Sequence, residues 1–233
     1  MVLYDDFAGP ALDAGKWQVA AVPLGDGNFW FYRDDNADVT IKDGRCRIYI
    51  RQFSSRHGQV QIFDNPKQLY LAPKTWSTEG GPAEFSCNMA GHATGDREDY
   101  RDGFASFNVL DFASAMVFDI VTNGTRVWAI YERLLIPGVT TEAEAFTEVI
   151  DLEVETAPMQ EHEFLVSYDR QQNRVGYAVN GVELLVRDDV PVPVDSLTTG
   201  FGLITLHPIE NGQSVSCRGQ GGTLSVGQFY VPS

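Results

Sequence analysis

Apolar and polar residues alternate along this chain in short runs, and Gly, Asp and Asn fall in the gaps between them. A period of two with turn residues between the runs predicts β-strands; no long stretch carries the 3.6-residue period of a helix. Asp38–Ile41 and Arg45–Gln52 flank Lys42-Asp43-Gly44, a tight hairpin in which glycine supplies the positive φ. Ala83–Ala90, Gly103–Leu110, Ala115–Thr122 and Arg126–Leu135 follow as strands, with Asn123-Gly124 as the strongest short hairpin signal. Further strands are expected at Thr147–Val154, Glu161–Tyr168, Arg174–Val179, Val182–Val186, Gly200–His207 and Thr223–Val231. Only Thr141–Phe146 hints at a helical turn, and the polar stretch Gly91–Asp102 reads as a long loop at the mouth of a site. Many short strands without an internal repeat predict an all-β, two-sheet antiparallel jelly-roll sandwich, one domain over residues 1–233.

Strand parity then sorts the polar residues. Val117, Asp119 and Val121 share one face, and Met116, Phe118 and Ile120 the other. On the next strand Trp128, Ile130 and Glu132 share a face, opposite Val127, Ala129, Tyr131 and Arg133. Pairing across Asn123-Gly124 brings this strand beside Asp119, so either an Asp–Tyr–Arg or an Asp–Trp–Glu cluster is open geometrically. A carboxylate between valines is either a functional acid with a raised pKa or a structural acid bonded at a sheet rim. In Asn28-Phe29-Trp30-Phe31-Tyr32-Arg33 aromatic residues occupy both faces, and Trp30 and Tyr32 have the parity to line a cleft, though core packing is the commoner role.

Three segments carry a resemblance to a known family. Asp5-Asp6-Phe7 with Leu12-Asp13 and Lys16-Trp17, the pair His162–Asp169 and Arg174–Gly181, and the closing Gly227–Val231 are similar to the strands of concanavalin A-like lectin/glucanase domains. That resemblance implies a jelly roll. In the laminarinase-type hydrolases of this fold the catalytic strand reads E-x-D-x-x-E, two glutamates at the close separation of retaining chemistry. The corresponding strand here resembles it only at Asp119, with Val117 and Thr122 at the glutamate positions. The later Glu148-Val149-Ile150-Asp151-Leu152-Glu153 is one residue out of step, so its first glutamate faces away from the other two acids. Glycan hydrolysis by the standard pair is therefore not expected.

Composition narrows the partners. Asp and Glu outnumber Lys and Arg by 32 to 17, for a formal charge of −15, which repels nucleic-acid phosphates and anionic membrane surfaces. The N-terminus lacks a basic stretch followed by an apolar one, no run is long enough to span a bilayer, and Cys46, Cys87 and Cys217 form no pattern. A cytoplasmic protein with free thiols is expected. His57, His92, His162 and His207 have no zinc-ligand spacing, paired aspartates such as Asp34-Asp35 have no EF-hand spacing, and no phosphate loop or dinucleotide fingerprint is present. Neither metal nor cofactor is expected.

Three functions fit these features: a sugar-binding module or glycan-processing enzyme, a non-catalytic interaction domain, and an enzyme with an apolar cleft where its relatives keep their glutamates. The chain as a whole also resembles small actinobacterial jelly-roll proteins associated with polyketide tailoring, such as ring formation in tetronate polyethers. That resemblance implies the third function, cyclisation or rearrangement of a hydrophobic small molecule by positioning and hydrogen bonding. Its polar candidates are Asp119, Tyr131, Glu132 and Arg133; Trp30, Tyr32, Trp128 and His207 are the candidate walls. Asp119 would exchange a hydrogen bond with a carbonyl or enol, and Arg133 would hold an acidic oxygen.

Overall fold

The computed structural model describes residues 1–233 and is built on two large antiparallel sheets of eight strands each. In the first, the order across the sheet is Val182–Arg187, Arg174–Val179, Glu161–Asp169, Ala83–Ala93, Gly222–Val231, Arg45–Ile50 and Ala37–Lys42, and Val2–Asp5 also pairs with Gly222–Val231. In the second it is Phe146–Asp151, Val127–Arg133, Met116–Thr122, Phe104–Asp111, Ser196–Ile204, Pro66–Leu71 and Gln18–Val19, with Trp76–Ser77 paired to Ser196–Ile204. Chain-distant strands lie side by side in both sheets, the crossing pattern of a jelly roll. No helix is long and apolar enough to cross a membrane.

Alternation builds the core. Phe107, Phe118 and Phe201 from the second sheet meet Phe85, Phe164 and Phe229 from the first, all within a cluster of 37 buried residues. Burial of each large side chain contributes roughly 1.5–3 kcal/mol, so this face stabilises the sandwich. Trp17 clips the N-terminal segment onto it: its ring meets Phe201 and Phe229 at 4.9 Å each, and its Nε1 donates to Asp5 Oδ2 at 2.8 Å. The three cysteines are free, Cys46 and Cys87 in the core and Cys217 half-buried.

Local features follow the pattern in the sequence at some points and depart from it at others. The Asp43-Gly44 turn has the two positive φ angles, 52° and 71°, of a tight hairpin. At Asn123-Gly124 only glycine has positive φ; Asn123 instead caps a longer loop, its Oδ1 accepting from the backbone of Thr125 and Arg126. Ala83–Ala93 runs three residues past its expected end, shortening the loop that follows, and Ser196–Ile204 stops before His207. Pro66–Leu71 is a buried strand although it begins Pro-Lys-Gln, and one turn of helix, Gln61–Asp64, precedes it. Ala21–Gly25 and Asn28–Phe31 form a separate hairpin beside the second sheet. Thr141–Ala145 makes only a turn.

Candidate functional site

The outer face of the second sheet carries the chemistry. Pairing between Met116–Thr122 and Val127–Arg133 is regular from Met116 opposite Arg133 to Thr122 opposite Val127. Val117, Asp119 and Val121 therefore face outward together, and Thr122 turns inward, where it would meet a Cβ placed on Gly91 of the other sheet at 2.9 Å. In an unbulged strand the outward positions flanking Asp119 are thus Val117 and Val121, which corrects the expectation for Thr122. Neither flank can ionise.

Above this face lies a cleft of about 500 Å³, with 16 hydrophobic residues among the 24 that border it. Phe104, Leu110, Val117, Ile130 and Ile204 form an apolar floor, and Asn108 and Asp119 are set into it. Tyr32, Leu69 and the Val60–Ile62 turn make one bank; Phe112, Leu134, Leu135 and Phe146 make the other. Phe112 and Leu135 are each 50% exposed, so the apolar lining continues to the rim.

Asp119 is 5% exposed and held from two sides. Asn108 Nδ2 donates to its Oδ2 at 2.5 Å, and the Val109 amide donates to Oδ1 at 3.3 Å. Ser106 Oγ donates to Asn108 Oδ1 at 2.9 Å, which fixes which way the Asn108 amide points. Burial pushes the Asp119 carboxyl well above its ordinary range; the Asn108 bond opposes this, and the nearby Glu132 adds to it. Glu132 shares the cleft face, accepts from Thr147 Oγ1 at 2.6 Å, and is likewise raised by burial. The cleft thus holds two carboxyls biased toward the neutral, hydrogen-bond-donating form.

Arg133 also borders the cleft, despite its opposite parity, because it ends the strand; its Nε donates to the Ser114 carbonyl and Nη1 stands 3.7 Å from Glu144. Tyr131 is not brought to this group. It lies in the core between the sheets, stacked 6.2 Å from Phe118, and its hydroxyl donates to the Asp189 carbonyl. Burial raises its pKa to about 12. Tyr32 borders the cleft, whereas Trp30 stacks on Phe63 at 5.7 Å behind the bank. Trp128 is on the outward face but packs with Phe104, Val121 and Ile204 beneath Tyr100, off the cleft. His207 is buried and contacts Asp102 Oδ1 through Nε2 at 2.5 Å. The loop after Ala93 thus anchors His207 and covers Trp128, and contributes no lining residue.

Asp99, Asp102 and His207 bring ligand-type atoms within 4.8 Å of one another. Arg101 already grips both oxygens of Asp99, and Arg218 stands 3.6 Å from Asp102, so each aspartate of the group already has a guanidinium beside it. Of the residues that matter in the cleft, Asn108 was not among the sequence candidates, although a polar residue in register with Ser106 inside an apolar strand is the signal that could have found it. Asn65, in a polar loop, gave no signal.

Similarity to known proteins follows the architecture. A Bacillus licheniformis β-glucanase superposes with a TM-score of 0.58 at 13% identity, covering 98% of this chain and 96% of its own. LamA of Z. galactanivorans, in a variant solved with laminaritriose and laminaritetraose, gives 0.60 at 9% identity over 98% and 97%. An endo-1,3-β-glucanase from Streptomyces sioyaensis gives 0.55 at 12% identity over 95% and 94%. The fold is therefore the concanavalin A-like jelly roll of the β-glucanases. Among curated proteins no sequence match is found. A family model described as "Family of unknown function (DUF6081)" matches residues 4–233.

Proposed function

The chain belongs to the DUF6081 family, and we propose that it is an enzyme that binds an apolar, partly polar small molecule in the outer-face cleft and catalyses its cyclisation or rearrangement. The apolar lining around a pinned, proton-retaining Asp119 carries the proposal. Such an isomerisation needs no co-reactant, because substrate and product contain the same atoms. The site's work is to fold the ligand against an apolar surface and stabilise charge that develops on a carbonyl or enol oxygen. Asp119 supplies the hydrogen bond, Asn108 and Ser106 keep it aimed, and Glu132 offers a second acid on the same face. Ring formation in polyketide biosynthesis is the finer form of this proposal.

A carbohydrate ligand is the second candidate, supported by the frame shared with β-glucanases over nearly the whole chain. Against hydrolysis stand Val117 and Val121, which leave Asp119 without a flanking carboxylate on its own strand. Thermal-shift titration with a set of hydrophobic polyketides and, separately, with laminari-oligosaccharides distinguishes the two. The first set is expected to raise Tm and the second to leave it unchanged; a response to the oligosaccharides alone overturns the proposal. Once a turned-over ligand is found, Asp119→Asn is expected to lower kcat/KM by about 10²–10⁴-fold.

A further inference from the structure

Asp119 and Glu132 sit on neighbouring strands and border the same cleft. Asp119 lies opposite Ile130, and Glu132 is two residues further along that partner strand, so the two acids are diagonal neighbours on one face. Diagonal positions of an antiparallel pair are roughly 7–8 Å apart, a span that one small ligand bridges. No cation stands between them. Arg133, the cleft's only basic residue, is turned to the Ser114 carbonyl and to Glu144. Glu148, next along the edge strand, is paired with Arg187, and Tyr32 on the opposite bank is held neutral by burial.

The surroundings of the two acids differ. Asp119 is 5% exposed and set among Val117, Val121 and Ile130. Glu132 is half-buried beside the edge strand, opposite Thr147, whose Oγ1 donates to its Oε1 at 2.6 Å. A hydroxyl donor and partial access to water favour a carboxylate at Glu132, whereas an apolar floor favours a carboxylic acid at Asp119. Burial raises both groups, and it carries Asp119 well above its ordinary range despite the Asn108 and Val109 bonds. Negative charge on Glu132 pushes Asp119 in the same direction. Ionising the first acid thus keeps the second protonated, and two environments that separate a pair of carboxyls in this way assign one as base and the other as acid.

We infer that Glu132 is the catalytic base of the cleft and that the pair moves a proton on an enolisable carbonyl compound. Glu132 takes a proton from the carbon beside the carbonyl, and the electrons of that C–H bond pass to the oxygen, where the Asp119 hydroxyl donates its hydrogen bond. Glu132, now neutral, returns the proton to the same carbon or to one conjugated with it. No atom is gained or lost, and no co-reactant is consumed. The inference rests on the cleft being the site of an apolar small molecule. It narrows the substrate to a ketone, or a similar carbonyl, on an apolar body, and the reaction to a proton shift or a ring closure that passes through the enol.

The probe is β-tetralone, a compact apolar ketone, mixed with the whole protein in deuterium oxide. Proton NMR follows exchange of the hydrogens beside its carbonyl, and saturation transfer in the same sample reports binding. Wild type is expected to exchange them faster than buffer does, with a rate that rises as Glu132 ionises and falls as Asp119 loses its proton. Glu132→Gln is expected to bind the ketone and exchange it only at the buffer rate. Asp119→Asn is expected to slow exchange and to abolish the fall at high pH, because the amide has no proton to lose. Thr147→Val is expected to move the rising limb to higher pH with its plateau kept. Unchanged exchange in Glu132→Gln overturns the inference, as does ketone that binds wild type without exchanging; both leave the cleft as an apolar site. Should Glu132→Gln fail to fold, an unmoved rising limb in Thr147→Val overturns it. Absence of binding to wild type overturns the cleft reading, and this inference with it.

Discussion

Asn65 and Lys67 stand two residues apart, both buried, and the fold treats them in opposite ways. Lys67 is fully enclosed, and its Nζ donates to the carbonyls of Ser55 and Asp64 and to Ser216 Oγ, with Asp64 Oδ1 3.6 Å away. Three donors meet three acceptors, and the acid that offsets the charge has its own partners in the His57 amide and Ser214 Oγ. Burial lowers the Lys67 pKa, and the surrounding anionic groups oppose the shift. This network is complete, and a complete polar network is structure: it joins the loop at Ser55, the short helix and the segment at Ser216. Asn65 and Asp119, on the cleft side, are incomplete, one with an unpaired oxygen and the other with a proton it is reluctant to give up. A buried acid held toward its neutral form at the floor of a cleft, as Asp119 is, is the kind of group that functional sites carry and closed structural networks do not.

The largest expected effect comes from breaking the complete network. Lys67→Met strands the Ser55 and Asp64 carbonyls and leaves the Asp64 charge without its ammonium. Removing one partner of a buried pair costs about 3–5 kcal/mol, which urea denaturation would read as a lower midpoint. A variant as stable as wild type would mean that Lys67 is dispensable and that the contrast with Asn65 is not one of satisfied against unsatisfied groups.

Next in size is Asp119→Asn, with the opposite sign. Folding raises the Asp119 pKa, so the folded state holds that proton more tightly than the unfolded chain. Its contribution is fully favourable below the ordinary carboxyl range and is lost as pH rises through the elevated folded value. Asparagine cannot ionise, and its oxygen still accepts from Asn108, but its NH2 group is turned toward the Val109 amide and cannot accept the long bond made there. The variant is therefore expected to fall slightly below wild type near pH 4 and to exceed it in Tm near pH 8, by a few degrees in a chain of this size. A variant less stable than wild type at the higher pH would show that Asp119 is anchored as an anion, and its hydrogen-bond-donor role would fail.

The β-architecture was legible because it rests on period-two alternation, and a face assignment survives even when a strand end is misplaced by three residues. Trp128, Ile130 and Glu132 share a face whether or not the turn before them has two residues or four. The site was less legible for a physical reason. Whether Trp128 meets a ligand depends on Tyr100 lying over it, and whether His207 does depends on Asp102. Both partners come from a loop whose sequence, GHATGDREDYRD, reads only as polar. Tyr131 failed to join the acids because it has the opposite parity to Glu132 on the strand they share, an alternative that the sequence left open and the register decides. Pro66–Leu71 escaped notice because proline and lysine at a strand's start obscure the pattern, though Lys67 is there as an internal tie.

The smallest effect is expected at the rim, and it separates the two cleft acids. Thr147 Oγ1 donates to Glu132 Oε1 at 2.6 Å, a bond that favours the charged form and opposes the rise that burial imposes. Thr147→Val removes the donor with little change of shape, so the Glu132 pKa is expected to climb further. Carbon-detected NMR of the Glu132 carboxyl would follow this as a titration moved to higher pH. The stability cost should be about 0.5–1.5 kcal/mol, the net worth of one such hydrogen bond. Asp119 bonds to Asn108 and Val109 and not to Thr147, so its own titration should shift only through the change in Glu132 charge. If the two acids instead move together by equal amounts, they behave as one coupled pair, and the assignment of Asp119 alone as the hydrogen-bond donor gives way to a shared proton between neighbouring strands.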